Sequence, residues 1–280
     1  MTHEPKVRRS TTADAERRFG VFRVGPHLVG IPVELVHEMF VLPAVHCPPG
    51  TAAHGRGVVS LRGEALPVVD VRVCLGMASA RSEVDALVQL LVEREQDHHN
   101  WLQELVASVR EQRPFTLATD PRKCKFGQWY YAYHSEDAVL RGELARIERP
   151  HTEIHGLAAV VAAMVADGRA SEALAALEQA RLGVLGEVVK LFEQTRHAMR
   201  TQHREIGVAV SHDGRRTVLA VDGAEAVAVL ELVPAADDPL LSGALEAERV
   251  ERFARWSGTA QPVLLLDARG IATGERQVRQ

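Results

Sequence analysis

The stretch SEVDALVQLLVEREQDHHNWLQELVASVR, residues 82–110, decides how this chain is built. Val84, Val88, Leu91, Leu102, Leu105 and Val109 fall on alternating three- and four-residue steps, which predicts a helix of about 30 residues. Ser82 and Asp85 read as a capping-box start, and Glu95 is the one polar break in the apolar stripe. His98 occupies a stripe position, so its ring is expected inside a helical bundle, while His99 turns toward solvent.

The helical period continues downstream to about residue 202. A loop with Pro114, Asp120 and Pro121 ends the first helix, and a short aromatic helix is expected around Phe126 to Tyr133. A third helix is expected to start near Pro150, which suits a first turn, and to stop at Asp167-Gly168. A fourth runs from about Ala170 to Gln202, so the segment reads as an antiparallel four-helix bundle.

On both sides of the bundle the pattern is β. Between Gly20 and Leu75, short Val-rich runs (VFRV, HLVGIPVELV, GVVSL, ALPVVDV) alternate with Gly, Pro and His clusters. After Glu205, IGVAV and TVLAV flank an Asp213-Gly214 hairpin turn, and VAVLELV and PVLLLD add strands, with a short helix expected at Leu245 to Trp256. The expected division is a flexible leader at 1–18, a first β part at 19–80, a bundle at 81–204 and a second β part at 205–275. The fold class is therefore multi-domain α+β.

Composition narrows the function. Of 280 residues 46% are hydrophobic, and a net charge of -4 with interleaved signs gives no basic stripe, so nucleic acid is not an expected partner. No apolar run reaches membrane-spanning length and the first twenty residues lack a signal-peptide core, so a cytoplasmic protein without direct membrane insertion is expected. Three scattered cysteines do not make a disulfide framework.

Four residues stand out as a Zn2+ set: His98 in H-x-x-W, Cys124 in C-x-F-G-x-W-Y, and His151 with His155 in P-H-x-x-x-H. His151 and His155 are one helical turn apart, so their rings leave the same face about 5–6 Å apart. Three imidazoles and a thiolate complete a tetrahedral site with no open position, which disfavours hydrolysis. A zinc hydrolase of H-E-x-x-H type is further disfavoured because Thr152 follows His151 where Glu is required. A lone His on an apolar stripe or a lone Cys is ordinarily a core residue, and it is their combination that argues for metal. Gly127 is expected to let the backbone approach a neighbouring helix. A zinc-held thiolate is also a standing nucleophile toward oxidants, which makes Cys124 the candidate redox-sensing residue.

The segment from about 90 to 200 resembles the chemoreceptor zinc-binding (CZB) domain through those three motifs in order. The resemblance implies a zinc-stabilised helical bundle with a His3-Cys site, in a family linked to sensing zinc or oxidants. The β parts resemble the two halves of a CheW-type coupling domain through G-I-P-V (30–33), V-x-E-M (36–39), R-G-V-V-S-L-R-G-E-A-L-P-V-V-D-V-R (56–72), V-L-A-V-D (218–222) and V-L-L-L-D (263–267). That likeness implies a double five-stranded β-barrel bridging chemoreceptor cytoplasmic tips to a CheA-type histidine kinase at membrane-associated arrays. It also implies a partner-binding surface at Val36, Glu38, Gly57 and Arg62. Ser60 departs from the Asn usual in that family. Neither a phosphate-binding glycine loop nor a kinase motif is present, so the expected protein is a non-catalytic signalling adaptor, regulated through the bundle or passive with structural zinc, and able to form a homodimer.

Overall fold

The Val-rich runs pair with one another across the helical stretch that separates them. A computed structural model describes residues 17–49, 55–135, 137–202, 204–233 and 250–273. These divide into two compact units, one formed by the chain up to Ala80 together with the chain from Arg204 on, the other by residues 81–203.

The β unit contains β1 (Arg18–Val24), β2 (His27–Pro32), β3 (Val36–Val41), β4 (Gly55–Leu61), β5 (Glu64–Asp70), β6 (Ile206–His212), β7 (Arg215–Val221), β8 (Gly223–Val229), β9 (Glu231–Val233), β10 (Val250–Arg255) and β11 (Val263–Leu266). Two short helices follow β5 and β11, α1 (Val71–Cys74) and α7 (Ala268–Thr273). One sheet has the order β8-β1-β2-β11-β10-β9, and only Leu230 separates β8 from β9, so a single bent strand supplies both ends and the sheet rolls shut. The other has the order β3-β6-β7-β5-β4. It closes where the chain beyond β3 reaches β4, His46 and Val58 exchanging backbone hydrogen bonds of 2.9 and 2.7 Å. Each ring thus has five strands, as the resemblance implied.

Three apolar clusters explain why the strands read as continuous runs. Val263 and Leu265 of β11 face the interior of the first ring with Phe19, Val21 and Leu28, while Leu264 and Leu266 turn to a core shared by both rings. In β7, Val218 and Ala220 fill the second ring and Leu219 and Val221 face the shared core. A strand buried on both faces has no polar side to alternate with. The two halves of the unit, distant in sequence, join through the parallel pairing of β5 with β7. An ion pair adds to that joint: Arg72 donates to Asp222 at 2.8 and 2.9 Å, and Asp222 also accepts from the Gly25 amide.

Several boundaries differ from the sequence expectations. Residues 1–16 of the expected leader lie outside the described residues, but Arg18 already opens β1 and Arg17 pairs with Glu34 at 2.6 Å. The helix expected at Leu245 to Trp256 is not formed where the structure describes it: Val250–Arg255 is β10, with Val250, Phe253 and Ala254 buried by its neighbours β9 and β11. Residues 245–249 lie outside the described residues.

The helical unit contains α2 (Ala80–Arg110), α3 (Lys125–Ala132), α4 (Ala138–Ala166), α5 (Ala170–Leu182) and α6 (Val184–Gln202). The expected bundle of four helices becomes five because Gly183, with ψ of -99°, breaks the last one. Helix α2 begins two residues before Ser82, so the capping box expected there is not the start. Glu95, the polar break, is explained by α6: it accepts from Arg196 at 2.6 Å, both side chains being largely buried.

The larger correction concerns Pro150, which lies inside α4 and not at its start. Asp137 caps the true N-terminus, its carboxylate accepting from the Val139 and Leu140 amides at 2.8 and 2.9 Å. Proline has no N–H for the Arg146 carbonyl, a cost in any helix interior. The helix continues because Ile147 and Ile154, on either side of the proline, are fully buried in the core with Leu144, Val161 and Phe192. Tertiary packing outweighs local propensity here.

Candidate metal centre

Helix phase and one loop bring four chemistry-bearing side chains together. His98 comes from the middle of α2, His151 and His155 from successive turns of α4, and Cys124 is the residue that caps α3. One ligand atom from each lies within 4.8 Å of all the others, and Cys124 Sγ is 3.2 Å from His151 Nε2. His98, His151 and His155 are 3%, 1% and 2% exposed. His99 is outside the cluster.

Two of the three rings are held by their second nitrogens. His98 Nδ1 lies 2.6 Å from the Arg94 carbonyl and His155 Nδ1 lies 3.1 Å from the Ala118 carbonyl, so each donates its proton there and keeps Nε2 as a bare acceptor. Trp101 Nε1 donates to the same Ala118 oxygen at 2.8 Å, pinning the loop that follows α2 against α2 and α4. Phe126 stands edge-on to His151 with centroids 4.9 Å apart and edge-on to Phe192 at 5.0 Å, while Trp101 covers His155 at 5.0 Å.

Cys124 is positioned by backbone. Its Sγ accepts from the Gly127 amide at 3.2 Å and lies 3.3 Å from the Pro121 carbonyl. A Cβ on Gly127 would overlap the Pro121 carbonyl, so glycine is required by the tight loop preceding α3, not by a neighbouring helix as expected.

Burial removes charge from the site. Desolvation, followed by repulsion from His98 and the other imidazole, lowers His151 to about 3, and desolvation with the His98 charge lowers His155 to about 4. Desolvation also lowers His98. It raises the Cys124 thiol above its ordinary value despite the amide hydrogen bonds. His98 Nε2, His155 Nε2 and His151 Nδ1 have no hydrogen-bond partner. Buried bare nitrogens are costly unless something completes them. The bare Nε2 atoms of His98 and His155, with His151 Nε2 facing the Cys124 thiol at 3.2 Å, fit a tetrahedral cation of the zinc type in number and in donor chemistry. Glu153, the nearest carboxylate in sequence to His151, is exposed and pairs with Arg149 at 2.9 Å, so it does not take the place of the zincin glutamate.

The partner-surface candidates sit in the β unit and are not all on its surface. Arg62 and Gly63 form the β4–β5 turn with φ of 52° and 86°, a turn that ordinarily selects Asn or Gly at the first position. Arg62 is 81% exposed and pairs with Glu38 of β3 at 2.8 Å, and Glu38 also faces Arg216 at 3.6 Å. Val36 is half-buried and pairs with Val210 of β6. Gly57 is buried at φ 130°, and a Cβ there would overlap the His46 carbonyl, so its residue type follows from closure of the ring. The sequence could have pointed to the supporting groups Trp101 and Phe126 through their motifs; the Ala118 carbonyl and Phe192 carry no such signal.

Comparison with known proteins places two domain types on this geometry. Residues 18–115 match the CheW-like domain and residues 98–162 match the chemoreceptor zinc-binding domain. A search of curated proteins finds no match. Among solved structures, the scaffolding protein TtCheW from Thermoanaerobacter tengcongensis is 12% identical, with 94% of this chain and 97% of that chain covered and a TM-score of 0.39.

Proposed function

We propose that the chain is a non-catalytic chemotaxis adaptor that couples chemoreceptor cytoplasmic tips to a CheA-type histidine kinase, and that its inserted bundle holds one Zn2+ on His98, Cys124, His151 and His155. The observation that carries the metal half is the cluster of four ligand atoms within 4.8 Å, three of them on imidazoles with a bare nitrogen, in a segment that matches a zinc-binding domain. The CheW-like match supports the adaptor half. Among the described residues no helix is long and apolar enough to cross a membrane, and cytoplasmic placement at receptor arrays belongs to this reading.

Bound at these ligands, zinc would supply a cross-link between α2, α4 and the start of α3 and would keep the thiolate form of Cys124. The Arg94 and Ala118 carbonyls orient His98 and His155 for that role, and the Gly127 amide stabilises charge on the sulfur. Oxidation of Cys124 removes one donor and loosens the first turn of α3, which is the regulated form of the adaptor. In this reading Arg62 and Glu38 belong to the partner surface, while Val36 and Gly57 shape the strands that present them.

Near-complete burial of the imidazoles also favours a second reading, in which the metal only holds the bundle together. Elemental analysis should give about one zinc per chain, lost in Cys124→Ser and His151→Ala. In a reconstituted receptor and kinase mixture, a change in coupling on brief oxidation, absent in Cys124→Ser, supports regulation; coupling unchanged by oxidation supports the passive adaptor.

A further inference from the structure

A cleft of about 310 Å³ opens the helical unit beside the cluster, and its lining includes Cys124, His98 and His155 but not His151. Its apolar lining comes from Trp101, Ala118 and Phe126, and its exposed lining carries Leu117, Lys123 and Lys125. Asp97, also in the lining, is shared between Arg94 at 3.1 Å and Lys125 at 3.8 Å. Lys123 has no carboxylate in ion-pair range among the described residues, so positive charge predominates where the cleft meets solvent.

We propose that this cleft is the route by which small reagents of negative or no charge reach Cys124 Sγ, with Leu117 as the gate that limits their size. The inference rests on reading Cys124 as the reactive ligand of the bundle. Cys124 lines the cleft and is a half-buried residue whereas the three histidines are almost fully buried, so among the ligand residues it is the least enclosed. Leu117 lies on the loop between α2 and α3 and is 42% exposed, so it forms part of the wall without being locked in the core.

A small peroxide is one reagent of this class. The Cys124 thiolate attacks the outer oxygen of ROOH; the S–O bond forms as the O–O bond breaks, and RO⁻ leaves with the electron pair and takes a proton from water. Sulfur is oxidised by two electrons to the sulfenic acid level and the peroxide is reduced.

Charged methanethiosulfonates test the route in the metal-loaded full chain. Each transfers its thioalkyl group to the sulfur and releases methanesulfinate, and peptide mass spectrometry reads Cys124 and the exposed Cys47 in the same sample. Normalised to Cys47, the sulfonatoethyl reagent should modify Cys124 about tenfold faster than the trimethylammonioethyl reagent at low salt. The double variant Lys123→Gln, Lys125→Gln should bring that ratio to about one. Leu117→Trp should slow both reagents with zinc content unchanged, and Leu117→Ala should speed them. If Cys124 reacts with both reagents in the ratio seen at Cys47 and ignores Leu117→Trp, the route is overturned while the reactive-ligand reading stands. If Cys124 labels only after unfolding, both are overturned.

Discussion

The protonation states of the four ligand groups make the proton count of zinc binding a sharp test. With His151 lowered to about 3, His155 to about 4 and His98 also lowered by burial, the imidazoles are neutral at pH 7 and have nothing to release. Burial raises the Cys124 thiol above its ordinary value, so at pH 7 it is held as the neutral thiol. Zinc takes up thiolate and neutral imidazole, so one proton should leave per metal bound, and it should come from Cys124. Apparent affinity should then rise about tenfold per pH unit between about pH 6 and 8, about 1.4 kcal/mol per unit. Cys124→Ser deletes the titrating group: release should fall to about zero and the pH slope should flatten. Calorimetric titration at pH 7 in buffers of different ionisation enthalpy gives the count as the slope of observed heat against buffer heat. Release of two or more protons from the parent would mean charged imidazoles, and one proton still released by Cys124→Ser would place its source elsewhere; either result refutes the reasoning.

Acid should unfold the metal-free bundle. A histidine whose folded pKa lies below its unfolded value of 6.5 contributes stability that is complete above 6.5 and is lost as pH falls below it, here down to about 4 for His155 and about 3 for His151. The apo protein should lose roughly 2 to 3 kcal/mol per pH unit between about 6 and 4, read by urea denaturation of the helical signal; a flat profile contradicts buried neutral rings. Gly127→Ala should cost at least about 2 kcal/mol of helical-unit stability and weaken zinc binding, because the added methyl meets the Pro121 carbonyl beside Cys124. Unchanged zinc affinity in that variant would show that the loop is not what positions the sulfur. Gly57→Ala should destabilise the β unit by about 2 to 3 kcal/mol through the His46 carbonyl and its φ of 130°, without altering zinc content.

Much of this architecture was readable from residue order because the signals were periodic. The stripe from Val84 to Val109 is a helix with His98 inside, and the runs at 206–210, 217–221 and 263–266 are strands. Reading failed where a local rule met a stronger packing demand. Pro150 looked like a helix start, but its neighbours Ile147 and Ile154 needed to be on one continuous face, and the Asp137 cap lay thirteen positions upstream at a less conspicuous site. Val250–Arg255 carried Glu and Arg at helical spacing, and only the flanking β9 and β11 decided for a strand. Gly57 and Gly127 could be noted, but the carbonyls they accommodate, of His46 and Pro121, are identified only by the folded loops.

Residue order by itself determined the kinds of element, the β–α–β succession and the identity of four zinc-type donors, because periodicity and side-chain chemistry are local properties. Tertiary structure alone decided that these donors share one point, since His98 and Cys124 are separated from His151 and His155 by loops whose path depends on packing. It also decided which nitrogen His155 offers, through the Ala118 carbonyl, and that Cys124 lies beside an open cleft. A hydrogen bond between distant segments has no period to read, and it exists only once the apolar core has fixed both partners in place.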